Sequence, residues 1–488
     1  MPNICILHGK FLYIKKKLYF CSAKTRAFML LILVPKLTNR LGYTLNVVFR
    51  TILHVEFEIT TDEETFIRHT DAKLCYGSRK VGDAVFVKSV PLLFQTTIET
   101  QEPRCFDFDS SRAFFPTYGK DIDLPFDVFA ASFYLLSRYE EYLPHHADQH
   151  GRFLASESLA FQEGFLRQPI VDRWAQLLAA KISERFPDFQ LPEQHLRILH
   201  TVDIDAAYCY KHKGLFRTVT GALRDAVARR APDEVRLRWR VLRGKEADPF
   251  DTFDYILDTR HRFHHNKLIF FVLLADYGMY DKNITHHNED FQQLLQHLGD
   301  YAKVGIHTSY ASFDNPKKIG IETDRLSKIL HRHIVRNRCH FLRLQLPQTY
   351  RQLQNHGISH DYTMGYADEP GYRAGTGTPF HFYDLESDYE TMLLIHPFAV
   401  MDTTLHKYQQ QSPDEALQTY KDMLLSAQST SSTFSCIWHN ENLSERFGWE
   451  GWRSVFEQVM EFGDSLTVPS SITINQSSNS LSSAFKTS

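Results

Sequence analysis

Continuous hydrophobic runs alternate with amphipathic segments through the second half of the chain. The runs at residues 196–202, 267–274 and 303–306 predict buried strands, and an apolar face that repeats from Phe291 to Leu298 predicts a helix before the third strand. Further strands are predicted at residues 340–344, 392–395 and 433–438, with a helix that starts at a capping box at Ser412. Repeated strand–helix units indicate a parallel sheet or a barrel.

The first half of the chain has shorter predicted elements. Strands are predicted at residues 31–34, 55–59 and 84–88, and helices at residues 126–142 and 169–182. This pattern predicts a smaller mixed α/β domain over residues 29–192, a linker rich in proline, and a second domain over residues 196–463. Residues 1–28 form an N-terminal extension that is not native if translation starts at Met29. Residues 464–488 are rich in Ser, Thr and Asn and predict a disordered tail.

Composition limits the classes of function. A chain of 488 residues is too long to fold around one ordinary hydrophobic core. Its net charge of -3 gives no electrostatic reason to expect a nucleic-acid partner. Seven cysteines without a C-x-x-C pair predict a reduced, cytoplasmic protein. The apolar run at residues 28–34 is too short to span a bilayer, so no transmembrane segment is expected. The oligomeric state is not predicted.

Residues with metal-binding and acid–base chemistry fall where predicted strands end. In folds of parallel strands, reactive groups lie at the carboxyl ends of the strands. Carboxylate and imidazole donors from separate strands can hold a metal and leave one position open, and the metal then polarises a carbonyl group for hydrolysis. The candidate residues at these positions are Asp203, Asp205, His307, His396 and His439.

Three segments around these residues carry a resemblance. Residues 201–205 read T-V-D-I-D, residues 305–309 read G-I-H-T-S, and residues 393–397 read L-L-I-H-P. They resemble the motifs of the polysaccharide deacetylase, or NodB-homology, superfamily of carbohydrate esterases. Residues 380–383 and 438–441 resemble a bacterial branch of that superfamily with an additional N-terminal domain. The resemblance implies a distorted TIM-like (β/α) barrel in the second domain.

The resemblance also implies roles for individual residues. Asp203 would be the general base that accepts a proton from the attacking water. Asp205 and His307 would bind a divalent metal, most simply zinc. His396 would be the general acid. For the arginine that holds the catalytic carboxylate, Arg343 fits by order along the chain, and Arg373 fits by its glycine-rich surroundings.

One position departs from the motif. The superfamily usually has a second metal-binding histidine four residues after the first, and this chain has Ala311 there. His439, His340 and Tyr310 are candidates for the replacement ligand, and His439 is preferred because it ends a predicted strand. Tyr310, Tyr372 and Tyr383 are candidates for stacking on sugar rings.

The expected function is a metal-dependent hydrolase that removes acetyl groups from N- or O-acetylated sugars of a polysaccharide or its precursor. Its partner would be a carbohydrate substrate. A catalytically silent carbohydrate-binding domain is the alternative that Ala311 favours. A metal-dependent glycosyltransferase that uses Asp203 and Asp205 is a third reading.

Overall fold

The computed structural model describes residues 29–214, 220 and 232–467. The predicted extension at residues 1–28 lies outside the described residues. So does the predicted tail beyond Thr467, whereas residues 464–467 are the end of the helix Trp452–Thr467. No helix of the described ranges is long and apolar enough to cross a membrane.

A parallel sheet lies in the first half of the chain. Its strands are β1 (Leu30–Leu33), β2 (Phe57–Thr60), β3 (Lys73–Gly77) and β4 (Val85–Lys88), in the order β2-β1-β3-β4. An antiparallel hairpin follows, with strands β5 (Cys105–Phe108) and β6 (Ser111–Phe114). The helices of this half are Asn39–Leu45, Glu63–Arg68, Val128–Leu136, Leu159–Gln162 and Ile170–Arg185, with a π-helical segment at Asn46–Ile52.

Asp127 fixes the start of the helix Val128–Leu136 and joins it to the sheet. Its buried carboxylate accepts hydrogen bonds from the amides of Phe129 and Ala130, which the helix itself leaves without partners. The same carboxylate accepts hydrogen bonds from the Tyr76 hydroxyl and the Val90 amide, at 2.8 and 2.7 Å. One side chain therefore sets the helix against strand β3.

The second half of the chain contains a larger sheet. Its strands are β7 (Arg197–Ile204), β8 (Lys267–Leu273), β9 (Lys303–Thr308), β10 (Arg336–Cys339), β11 (His360–Asp361), β12 (Phe380–Asp384), β13 (Tyr389–Ile395), β14 (Val400–Met401) and β15 (Thr433–His439). Their order is β12-β13-β11-β10-β9-β8-β7-β15-β14. All of these pairings are parallel except that of β12 with β13. The described α-helices of this half are Pro232–Leu242, Phe253–Arg262, Glu289–Tyr301, Lys317–Leu330, Gln348–Asn355, Pro413–Gln428 and Trp452–Thr467.

The larger sheet is curved. The Arg338 guanidinium on β10 donates a 2.6 Å hydrogen bond to Thr201 Oγ1 on β7, although β8 and β9 lie between these strands. The rings of Phe271 and Tyr362 also meet on this concave face, with centroids 5.0 Å apart. Within the described residues, β12 and β14 end the sheet and do not pair with each other. The structure therefore shows a curved, mainly parallel sheet, and it does not show the closed barrel expected from the sequence.

Most predicted strands of the second half are present, and one was predicted in the wrong place. The strand predicted at residues 340–344 is instead β10, and the chain turns at His340–Leu342. Phe341 and Leu342 have φ angles of 59° and 56°, in the left-handed region that a strand cannot contain. The capping box at Ser412 is confirmed. The correction places His340 directly after β10, at the carboxyl edge of the sheet.

Candidate metal centre

Three side chains that can bind a metal converge at the carboxyl edge of the larger sheet. Asp205 directly follows β7, His307 lies near the end of β9, and His340 directly follows β10. The Nε2 atom of His307 lies 3.2 Å from one Asp205 carboxylate oxygen, and that of His340 lies 3.3 Å from the other. The three donor atoms lie within 4.8 Å of one another. This is the number of protein donors that an open zinc site uses.

Each of the two histidine rings is oriented by a hydrogen bond on the side away from Asp205. His307 Nδ1 lies 2.9 Å from the backbone oxygen of Arg338, and His340 Nδ1 lies 2.9 Å from Asp281 Oδ1. A carbonyl and a carboxylate can only accept, so each Nδ1 carries a hydrogen and each Nε2 is directed at Asp205. The buried Oδ1 of Asp205 has no well-aligned hydrogen-bond partner in the described structure. With Nδ1 engaged by these partners, each ring can offer Nε2 to a cation, and two imidazoles with one carboxylate are a donor set that fits a divalent metal.

The electrostatics of the cluster favour an ionised carboxylate. Burial raises the pKa of Asp205, but His340 and His307 outweigh it and hold that pKa well below its usual range. Burial lowers the pKa of His340, whereas Asp205 and Asp281 raise it to about 9. Asp205 thus has the charge that a metal ligand needs.

Ala311 stands where the motif has its second histidine, and its backbone contributes to the site in another way. Asp281 accepts hydrogen bonds from the amides of Tyr310 and Ala311, at 2.9 and 3.4 Å. These bonds place the Asp281 carboxylate against His340. His340, directly after the neighbouring strand β10, places in the cluster an imidazole that position 311 does not supply.

His439 lies outside the three-donor cluster but faces the same cavity. Its Nδ1 lies 2.8 Å from Asp402 Oδ1, and its backbone amide donates to Asp402 Oδ2 at 2.8 Å. Asn442 donates a further hydrogen bond to this buried carboxylate. Burial lowers the pKa of His439, but Asp402 raises it to about 10. The arrangement gives a protonated imidazole whose orientation is fixed by a carboxylate.

Arg338 is the arginine that contacts Asp203. Its Nε lies 3.3 Å from Asp203 Oδ1, and both side chains are buried. The other Asp203 oxygen lies 3.7 Å from His307 Nε2. Asp203 is thus held between a guanidinium and the three-donor cluster. The sequence did not single out Arg338.

A cavity of about 340 Å³ opens onto these groups, and both halves of the chain line it. Arg152, from the first half, donates hydrogen bonds to the backbone oxygen of Phe341 and to the Tyr408 hydroxyl, each at 3.1 Å. A second cavity of about 470 Å³ shares the walls formed by Arg152, Leu342 and Tyr408. The remaining residues around the first cavity include Cys339, Met401, Thr403, Lys407 and Glu441.

The structure does not bring His396 together with Asp203. His396 Nε2 lies 3.0 Å from His360 Nδ1, and its ring stacks on Tyr362 with centroids 4.2 Å apart. Burial and the neighbouring cations lower its pKa to about 3. The position that the sequence suggested for His396 is occupied by His439, whose strand β15 pairs with β7 and places it beside Asp203.

The two arginines suggested by the sequence lie away from Asp203. Arg343 donates to the backbone oxygens of His150 and Tyr310 and pairs with Asp314, and its guanidinium lies over the rings of Tyr310 and Phe313. Arg373 is buried and makes two hydrogen bonds to Glu141 of the first half, at 2.9 and 2.6 Å. Both arginines therefore hold chain segments together.

The three predicted sugar-binding tyrosines do not line the 340 Å³ cavity. Tyr372 and Tyr383 are buried, and their hydroxyls donate to the Met423 backbone oxygen and to Asp388. The Tyr310 ring packs on Tyr280 with centroids 4.2 Å apart. Tyr408 is the tyrosine that forms part of the cavity wall.

Replacement of Arg373 with alanine should destabilise the fold without weakening metal binding. The change leaves the buried Glu141 with Arg138 as its remaining guanidinium partner, and losing one partner of a buried ion pair costs about 3–5 kcal/mol. Urea unfolding measures the loss, and a zinc titration of the folded variant measures metal affinity. Arg68→Ala, which breaks an exposed ion pair with Glu64, is the matched control and should change stability little. A stable Arg373→Ala protein with weakened zinc affinity would show that Arg373 contributes to the metal site.

Comparisons with known proteins found one family model and several solved structures. The profile of a family of unknown function, DUF7033, matches residues 30–187. No curated protein matches the chain. A crystal structure from Mycobacterium smegmatis, described as a polysaccharide deacetylase, is 12% identical, with 57% of this chain and 88% of that chain covered and a TM-score of 0.37. A polysaccharide deacetylase from Bacillus cereus is 10% identical, with 55% and 86% covered and a TM-score of 0.28. These TM-scores are too low to support a function, so the argument for a function depends on the residues that line the 340 Å³ cavity.

Proposed function

We propose that this chain is a metal-dependent hydrolase that removes acetyl groups from N- or O-acetylated sugars of a polysaccharide or its precursor. The observation that carries the proposal is the convergence, in one cavity, of a three-donor cluster, the carboxylate of Asp203 and the imidazole of His439. Hydrolysis of an amide or ester needs an electrophilic carbonyl, a proton acceptor for water and a proton donor for the leaving group. The cavity contains a candidate for each.

In this proposal Asp205, His307 and His340 hold a divalent ion. The mixed imidazole and carboxylate donors suit zinc, and three protein ligands leave a position open. When bound, the ion would polarise the acetyl carbonyl group as a Lewis acid. The partners behind the two rings, the Arg338 carbonyl and Asp281, would keep each Nε2 directed at the ion.

Asp203 and His439 divide the proton transfers. Asp203 accepts a proton from the water whose oxygen forms the new bond to the acetyl carbon, and the Arg338 guanidinium holds this carboxylate in position. His439 gives a proton to the sugar nitrogen or oxygen as its bond to the acetyl carbon breaks. Asp402 holds Nδ1 of His439, so the other ring nitrogen is the proton donor. The products are acetate and the deacetylated sugar.

The shape and composition of the site favour a sugar substrate. The cavity next to the reactive groups has aromatic rings from Phe341 and Tyr408 beside charged groups from Arg152 and Glu441. The adjoining 470 Å³ cavity has space for a further part of the substrate.

In this proposal His340 supplies the third metal donor that Ala311 does not. This donor weighs against the alternative of a silent carbohydrate-binding domain, which rested mainly on Ala311.

Asp203→Asn should abolish acetate release and leave metal content nearly unchanged, because Asp203 faces the cluster without belonging to its three donors. Elemental analysis and acetate release from N-acetylglucosamine oligomers and acetylated xylan measure the two properties. The wild-type protein should bind about one ion per chain and release acetate only when the ion is present.

Other outcomes decide between the alternatives. No ion bound at micromolar zinc contradicts the proposal. Bound metal and bound oligosaccharide without acetate release identify a silent carbohydrate-binding domain. Metal-dependent turnover of a sugar nucleotide identifies a glycosyltransferase.

A further inference from the structure

Basic residues stand at the start of five adjacent strands of the larger sheet, at the edge opposite the three-donor cluster. Strands β7, β8, β9, β10 and β11 are parallel and neighbour one another, so their first residues lie along one edge. No strand of the first-half sheet β1–β4, except β3, begins with a basic residue. The first residues of β7 to β11 are, in order, Arg197, Lys267, Lys303, Arg336 and His360.

Strand alternation places these side chains on the concave face. Residues two apart point to the same face, so Lys303 shares a face with Gly305 and His307, and Arg336 shares one with Arg338. A Cβ atom placed on Gly305 would lie 2.9 Å from the Cβ of Arg336, which shows how closely the two strands meet on this face. His307 lines the metal cavity, and Arg338 contacts Asp203, which lines it too. The basic residues therefore line the other end of the same concave surface.

An apolar layer separates the two ends. Leu199, Ile269, Phe271 and Tyr362 form one buried cluster on this face, and each follows the first residue of its strand, Arg197, Lys267 or His360, along the chain. His396 lies at this layer, with its ring stacked on Tyr362 and its Nε2 near His360 Nδ1. We call Lys267, Lys303, Arg336, His360 and His396 the basic cluster. The apolar layer makes it a site distinct from the metal centre.

The charge of the basic cluster is not compensated. Among the described residues, no carboxylate lies within ion-pairing distance of Lys267, Lys303 or Arg336. The Nε atom of Arg336 is buried and has no hydrogen-bond partner among the described residues. Arg336 lowers the pKa of Lys303, and His360, Arg336 and Lys303 add to the burial that lowers the pKa of His396. The side chains thus repel one another, and a bound anion would remove that repulsion.

We propose that the basic cluster binds a phosphate group. A guanidinium offers a two-pronged donor, and ammonium groups act as point charges, so together they suit a small multivalent oxyanion. Lys267 and Lys303 are exposed, which leaves the cluster open to solvent. The phosphate group can belong to a soluble compound or to a lipid headgroup.

Calorimetric titration of the purified full chain with inorganic pyrophosphate tests the site. Lys303→Gln and Arg336→Gln should each weaken binding by about 10- to 100-fold, which corresponds to the loss of one charge-assisted hydrogen bond. Lys328→Gln, on an exposed face of the helix Lys317–Leu330, is the matched control and should bind as the wild type does. Titrations with and without bound zinc should agree, because the metal centre lies beyond the apolar layer.

Vesicles distinguish the two sources of the phosphate group. Co-sedimentation with vesicles of phosphatidic acid in phosphatidylcholine, lost in Lys303→Gln and competed by pyrophosphate, assigns the site to a lipid headgroup. Pyrophosphate binding without vesicle binding assigns it to a soluble compound. Binding of neither probe, or equal binding by Lys303→Gln and Lys328→Gln, overturns the proposal. Lys303 is exposed, so its variant keeps the test valid even if Arg336→Gln does not fold.

Discussion

His340→Ala should lose tight zinc binding. The variant keeps only Asp205 and His307 from the cluster, one donor fewer than zinc sites in proteins use. Affinity should fall by several orders of magnitude, and acetate release should fall with it at limiting zinc. Competition against a chromogenic chelator measures the affinity. His439→Ala is the matched control, because this histidine faces the same cavity but pairs with Asp402.

The comparison of these two variants decides which histidine is the third metal ligand. Loss of zinc in His340→Ala and its retention in His439→Ala support the cluster described above. Equal losses would mean that the final strand supplies a ligand, as the sequence alone suggested. Retention of full affinity in His340→Ala would remove His340 from the site.

His439→Ala should lower turnover of acetylated sugars by about 10²- to 10⁴-fold, the usual contribution of a general acid, with zinc affinity unchanged. Asp402→Asn should act in the same direction, because it weakens the partner that orients His439 and keeps it protonated. Steady-state kinetics on an N-acetylated sugar oligomer measure the effect.

The leaving group separates a general acid from a structural residue. A nitrophenolate leaves without a proton, so His439→Ala should retain most of its activity toward p-nitrophenyl acetate. Asp203→Asn should lose activity toward both substrates, because both reactions need an activated water. Equal losses of His439→Ala on the two substrates would contradict the role of proton donor.

The parts of the site that follow apolar strands could be predicted from the sequence. Asp203, Asp205 and His307 end strands whose continuous hydrophobic runs are visible in the sequence, and the structure places all three around one cavity. The runs mark where a buried strand stops, and parallel strands bring their ends to one edge. Local pattern was enough for these residues.

Strand β10 could not be recognised by hydrophobicity. The strand reads Arg-Asn-Arg-Cys. Its concave face carries Arg336, which belongs to the basic cluster, and Arg338, which contacts Asp203. The apolar residues that follow it suggested a strand at residues 340–344, which shifted the expected strand end past His340. For this one reason the sequence did not single out Arg338, which contacts Asp203, and it ranked His340, which contacts Asp205, behind His439 as the replacement ligand. Functional sites are where such local rules fail.

Strand order was the other missing information. His396 and His439 both follow apolar runs, and nothing near either residue in the sequence shows which strand lies next to it. In the structure β15 pairs with β7, with His439 opposite Asp203, whereas β13 pairs with β11. The choice between the two histidines therefore depends on pairings between residues far apart in the chain.

If the proposed function holds, Arg152 gives the first half of the chain a share in the choice of substrate, because it lines the same cavity as the reactive groups. It reaches the cavity wall from outside the sheet that carries the reactive groups, and its contacts with Phe341 and Tyr408 set the rim of the opening. Changes in the loop around Arg152 can reshape that rim while the acid, the base and the ligands stay in place. Exchange of the first half of the chain between related proteins would then be a route by which new substrate preferences evolve while the proposed acid, base and ligands are kept.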